Sequence, residues 1–247
     1  RDFVVIVTVR MDDESTELLA VLPDRKKDTV VAFLRSIPEA LKPTVLNVCI
    51  DMHEGYANAV REVLPKAKLI VDRFHVSKAY REGADQLRKT EQRRLKRELP
   101  KEQYEELKGS MWAFRKKPQP LDPEGKTVLE NLFAHAPALK TAYELREELT
   151  GIFDTAKGKA TGSAAIERWQ QKVRRSGLKC FDAFLTTLSN WKAEITNYFL
   201  DRQTSGFVEG LNNKIKVIKR RCYGIFDVSN LFRRIFLDLR GYALFST

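Results

Sequence analysis

A chain of 247 residues, 43% hydrophobic and 31% charged, is long enough for a full core and too apolar for a disordered protein. It has no apolar run of about 18 residues and no signal-peptide pattern, so neither a membrane-spanning nor a secreted class is expected. The 44 Lys+Arg outweigh 33 Asp+Glu, and the resulting net charge of +11 points to a polyanionic partner, nucleic acid above all.

Residues 3 to 10, FVVIVTVR, are β-branched and nearly continuous in apolarity, the pattern of a strand buried on both faces. MDDES then makes a polar turn, in which Asp12 and Asp13 read as solvated loop residues, and ELLAVL (17 to 22) returns as the second arm of a hairpin. DTVVAFLRSI (28 to 37) has helical spacing, with Asp28 as its expected N-cap and Pro38 as its stop. TVLNVCI (44 to 50) is a second buried-strand run ending on Asp51. A helix over 54 to 64 follows, and then KLIV (68 to 71), ending on Asp72. Strand, helix and strand within some 30 residues predict a βαβ unit with parallel strands, and ligands gather beyond the carboxyl ends of such strands.

From Phe74 to about Leu200 strand signals vanish. Helices are expected over 74 to 98, 101 to 116, 124 to 157 with a break at Pro137, 163 to 175, and 178 to 200. Arg73 to Lys117 carries 14 Lys/Arg against 7 Asp/Glu, enough positive charge to track a phosphate backbone, although solvated helix faces account for part of it. Trp112, Trp169 and Trp191 are read as core residues. The expected organisation is therefore an α/β domain, residues 1–73 and 201–247, interrupted by an all-helical insertion over 74–200.

The segment SGFVEGLNNKIKVIKRRCYG (205 to 224) reads as a two-faced helix. Val208, Leu211, Ile215, Ile218 and Cys222 share an apolar arc, while Glu209, Asn213, Lys216 and Arg220 line the opposite side. At 1.5 Å per residue, Lys216 and Arg220 lie about 10 and 16 Å along the axis from Glu209, too far to neutralise it. A solvated face and a metal-and-phosphate site both remain open. The last helix is expected to bury Leu231, Phe232, Ile235, Phe236 and Leu239. Cys49, Cys180 and Cys222 are odd in number and widely spaced, as in reduced cytosolic thiols, and His53, His75 and His135 form no zinc pattern.

Asp51 has two readings. With Glu54 it makes Asp-x-x-Glu, the pattern of a capping box. With Glu209 it could hold a divalent cation: two carboxylates about 5 Å apart repel by roughly 3 kcal/mol at an effective dielectric near 20, and Mg²⁺ or Mn²⁺ would remove that penalty.

The stretch VLNVCIDMHEGYANAVREVLPKAKLIVDRFHV (45 to 76), followed by TSGFVEGLNNKIKVIKRRCYGI (204 to 225), resembles transposases of the ISL-three insertion-sequence family. These are DDE enzymes with an RNase H-like catalytic domain, and the resemblance covers essentially the whole chain. It implies an RNase H-like mixed sheet interrupted by the helical insertion, with the second catalytic aspartate at Asp51 and the catalytic glutamate at Glu209. The first aspartate and its strand would precede Arg1, so the chain is read as a fragment lacking that strand and the family's N-terminal regions. The implied activity is Mg²⁺- or Mn²⁺-dependent cleavage and transfer of DNA strands at insertion-sequence ends. Asp51 and Glu209 would be the metal ligands, and Asn213 and Lys216 would position the scissile phosphate. Lys219, Arg220 and Arg221 would hold flanking backbone, and Arg73 and His75 of the DRFHV segment would also meet nucleic acid. The implied partners are double-stranded transposon ends and further copies of the chain, in the bacterial cytoplasm at the nucleoid. A nuclease of the same fold and a non-catalytic nucleic-acid-binding derivative are the rival readings.

Overall fold

Residues 4–11, 13, 15–116, 121–202, 206–221 and 227–245 are described by the structure, a computed structural model; at 206–209, 212, 219 and 242–245 only the backbone is described. The chain divides into two units, one of Arg1–Asp72 with Gln203–Thr247 and the other of Arg73–Arg202.

In the first unit the opening β-branched run forms β1 (Val5–Arg10), paired antiparallel with β2 (Thr16–Leu22). The connecting turn is closed by Met11 N–H donating to Ser15 O (2.9 Å) and by Ser15 N–H donating to the Asp13 carboxylate (2.9 Å). The register jumps between Val7 and Thr8, so Leu19 is the extra residue of a bulge and is 46% exposed. Helix α1 (Lys27–Ser36) buries Val30, Val31 and Leu34 and ends at an extended Ile37, the conformation that Pro38 imposes on its predecessor. Its N-cap is Lys26 and not the expected Asp28, which lies in the first turn, where its charge still opposes the helix dipole.

The βαβ unit forms as expected: β3 (Asn47–Ile50), α2 (Glu54–Val63) and β4 (Lys68–Val71), with β3 and β4 parallel and Asn47 opposite Lys68. Strand β3 is shorter than predicted because Lys42–Thr44 turns as a 3-10 helix around Pro43. The four described strands make two separate two-stranded sheets and not one mixed sheet. Strands β1 and β3, expected to be buried on both faces, are only partly covered along most of their length, whereas Leu69, Ile70 and Val71 of β4 are buried.

Two further helices, numbered in chain order as α11 (Gly206–Arg221) and α12 (Val228–Phe245), close the first unit. Leu211, Ile215 and Ile218 of α11 pack with Leu231 and Ile235 of α12 and with Val21 of β2. The apolar arc of α11 is thus its packing face against the hairpin; Val208 and Cys222 lie outside the described side chains. Lys214 of α11 pairs with Asp238 of α12 (2.7 Å), and Arg240 pairs with Glu17 of β2. Phe236, predicted inside the α12 stripe, is 39% exposed and only stacks on Phe232.

The second unit is helical throughout its described residues: α3 (Arg73–Glu98), α4 (Lys101–Glu106), α5 (Ser110–Arg115), α6 (Pro123–His135), α7 (Pro137–Thr155), α8 (Lys159–Ser176), α9 (Asp182–Asn190) and α10 (Lys192–Asp201). Pro137 separates α6 from α7 as predicted. The expected helix over 101 to 116 is broken at Gly109, whose φ of 84° is open to glycine at no steric cost. The core is an aromatic cluster. Tyr80 stacks on Phe181 with centroids 4.5 Å apart and meets Trp169 edge-on at 5.7 Å, and Trp169 Nε1 donates to Leu145 O (2.8 Å). Trp169 is fully buried and Trp191 is 6% exposed, but Trp112 is 71% exposed, contrary to its reading as a core residue.

Candidate functional site

The carboxyl end of β3 carries Asp51, and three neighbours define its surroundings. The loop between β2 and α1 brings in Arg25, whose Nη2 donates to Asp51 Oδ2 at 3.0 Å. Arg25 Nε donates to the Tyr56 hydroxyl, also at 3.0 Å, and the guanidinium lies 5.7 Å from the centre of the Tyr56 ring. His53 packs on the same ring at 4.5 Å. Gly55 makes room for it, since a Cβ there would come 2.9 Å from His53 Cε1. The Tyr56 hydrogen bond lifts the Arg25 pKa above its ordinary value, and burial lifts that of Tyr56.

Two polar atoms here are buried without a partner among the described residues, Asp51 Oδ1 and His53 Nδ1. An unpartnered carboxylate oxygen is costly in a protein interior, and such sites commonly await a cation or water. The helix cap next to it is His53 and no side chain caps α2, so Asp51 does not form the capping box with Glu54. In place of that cap, Asp51 pairs with Arg25. Among the described residues no group of three or more His, Cys, Asp or Glu is placed to hold a metal ion.

Asp72 ends β4 and is 2% exposed, with its N–H donating to Ile50 O at 3.3 Å. Burial, with the charge of Asp72 added, pushes the neighbouring Cys49 thiol up to about 12, so it stays protonated. Glu209 lies in the first turn of α11, with its side chain outside the described atoms, as is that of Lys219. Asn213, Lys216, Arg220 and Arg221 are exposed on the helix side away from the core, and Lys216 Nζ donates to Asn213 Oδ1 at 3.4 Å.

In the helical unit Arg73 Nη1 donates to Asp154 (2.7 Å) and to the Tyr198 hydroxyl (3.3 Å), and His75 is half-buried edge-on to Phe74. Much of the positive charge on α3 is matched locally. Asp85 accepts from Arg88 and Arg115, and Arg94 reaches Glu91 and Glu98. The site residues that sequence reasoning missed are Arg25, Tyr56 and His53. Arg25 lies in a polar loop 26 residues before its partner, and no local pattern marks it.

Comparison with known proteins agrees with the motif resemblance. Residues 2–235 match the family model of DDE transposases of the ISL3 type, described as "Transposase". The transposase for insertion sequence element IS1001 of Bordetella parapertussis is 29% identical over 237 residues, covering 96% of this chain and 58% of that protein. The transposase for insertion sequence element IS1557 of Mycobacterium tuberculosis is 25% identical over 255 residues, covering 96% of this chain and 57% of that protein. No solved structure matches the chain. The chain belongs to the DDE transposase family of the ISL3 type. It spans less than three fifths of the length of these relatives. Among the described residues no helix is long and apolar enough to cross a membrane.

Proposed function

We propose that this chain is the catalytic part of a transposase that cleaves DNA at insertion-sequence ends and transfers the strands by divalent-metal-dependent phosphoryl transfer. The observation that carries the reading is Asp51, at the carboxyl end of a parallel strand, with one oxygen on Arg25 and the other buried and unpartnered among the described residues. That oxygen suits Mg²⁺ or Mn²⁺, hard cations that take carboxylate ligands and keep open positions for phosphate oxygens. Asp51 and Glu209 would hold the metal, with a third carboxylate from the upstream strand that the family resemblance implies. When bound, the metal polarises the phosphoryl oxygen and lowers the pKa of the attacking water or hydroxyl. Arg25 pairs with Asp51 without the metal and would meet an incoming phosphate. Asn213 and Lys216 would orient the scissile phosphate, and Lys219, Arg220 and Arg221 would hold the backbone beyond it. Arg73 would use the guanidinium edge not committed to Asp154, beside His75.

The proposed architecture is an RNase H-like mixed sheet in which a further strand joins β1 to β3. It would explain why these two apolar strands are only half-covered and each has a single ladder partner. The helical unit, Arg73–Arg202, is proposed to serve DNA-end binding or contacts between copies of the chain. The test is cleavage and strand transfer on end-containing duplex by full-length protein carrying Asp51→Asn or Glu209→Gln. Either change should abolish both steps while duplex binding persists. If both variants process DNA and bind Mn²⁺ like the parent, the metal-site reading fails; a full-length parent that binds the duplex without processing it is a binding protein only. Cleavage without joining of pre-cleaved ends would mark a nuclease.

A further inference from the structure

Helix α5 presents the side chain least expected on a surface. Trp112 is 71% exposed, while the other two tryptophans are 0% and 6% exposed. Exposing an indole forfeits a large apolar burial, and the short helix that carries it is nonetheless firmly held. Arg146 of α7 donates to Phe114 O (2.6 Å) and Lys116 O (2.8 Å), and its guanidinium lies 4.4 Å from the centre of the Tyr143 ring. Phe114, on the opposite side of α5, is buried against Tyr143. Trp112 is therefore on the outer face of an anchored helix and not on a loose end.

Its neighbours along the chain are basic. From Lys108 to Lys116 the chain carries Lys108, Arg115 and Lys116 and no carboxylate. Lys116 is exposed, Lys108 is 78% exposed and pairs only with the solvated Glu105, and Arg115 is committed to Asp85. A surface ion pair such as Lys108 with Glu105 is worth little and yields readily to a phosphate. An exposed indole flanked along the chain by an exposed Lys116 and a Lys108 held in a surface pair matches the chemistry of single-stranded nucleic acid, in which bases stack on aromatic faces and phosphates meet Lys or Arg.

We propose that Trp112 is a stacking platform for an unpaired base of single-stranded DNA, with Lys108 and Lys116 holding the adjoining phosphates. The choice of DNA rests on the function proposed above, but the site needs neither Asp51 nor a metal. The test is therefore run in chelator on the whole chain, with an oligothymidylate as probe. Intrinsic fluorescence should be quenched on binding, because Trp112 is the tryptophan that solvent reaches. By anisotropy of labelled oligothymidylate, Trp112→Ala should bind about tenfold more weakly, the loss of one base stack. Trp112→Phe should stay within about threefold of the parent, and a blunt duplex of equal length should be bound alike by all three. Equal binding of the oligothymidylate by Trp112→Ala and the parent overturns the proposal. So does an equal loss on duplex and single strand. If Trp112→Ala changes only the sedimentation coefficient, a second copy of the chain covers the indole and the proposal also fails. Loss of cleavage in Asp51→Asn with the quench intact separates the two readings.

Discussion

Asp85 shows how single residues set the pH response of the helical unit. Hydrogen bonds from Arg88 first and then Arg115 outweigh burial and hold its carboxyl well below the ordinary 3.8. A depressed folded pKa contributes stability that is complete above the unfolded value and is lost as pH falls through the folded one. Asp85→Asn should therefore cost on the order of 1 kcal/mol at neutral pH, discounted for a side chain that water still reaches, and the cost should shrink below pH 4. Urea unfolding at pH 7 and pH 3 measures both; a cost that does not change with pH would assign Asp85 a purely steric role. Asp51 offers the complementary case. Its pair with Arg25 is about one third exposed, so neutralising it should barely move stability, whereas the proposed chemistry depends on it wholly. That split between stability and activity distinguishes a working carboxylate from a structural one.

Among the elements, α8 meets the Phe199 ring of α10 at Gly162. A Cβ at that position would overlap the Phe199 ring, and Phe199 is itself 3% exposed and stacked on Phe153 at 5.4 Å. Gly162→Ala gains helix propensity in isolation, yet here overpacking dominates and should cost about 1 to 3 kcal/mol. Thermal unfolding followed by circular dichroism reads this as a lower Tm; an unchanged or raised Tm would mean that α10 shifts freely away. Helix α11 illustrates the other extreme. Its apolar arc was legible from spacing alone, because a helix that packs on one side must repeat its apolar residues every three to four positions. The exposed row of Asn213, Lys216 and Arg220 follows from the same geometry. Spacing could not name the covering partner, which is Val21 on the hairpin together with α12.

At the scale of the whole molecule the net charge of +11 would steer the proposed encounter with DNA. Much of the cationic stretch on α3 is spent on neighbouring carboxylates, so fewer phosphates should be contacted than the raw count of Lys and Arg suggests. Duplex affinity should fall linearly in a plot of log K against log salt, with about 0.9 of slope for each phosphate contact. Arg220→Ala should flatten that slope by about 1 and weaken binding almost uniformly across sequences. A slope identical to the parent would put the outer face of α11 off the DNA path.

The local periodicities of this chain were sufficient to determine the hairpin, the βαβ unit, the apolar face of α11 and that of α12 except at Phe236, since each depends on neighbours within a few residues. Two long motif blocks were sufficient to find the family. Tertiary structure alone decided the rest. Arg25 meets Asp51 across 26 residues through the path of a loop, and no pattern records that path. Trp112 sits on a helix of six residues, too short for periodicity to mark an inner and an outer face, so its exposure emerged only when Arg146 and Phe114 fixed how α5 lies. The partial cover of β1 and β3 is likewise a property of the fold that apolarity along the chain does not predict. Apolarity in the sequence states that a strand is to be buried, and only the assembled fold states by what.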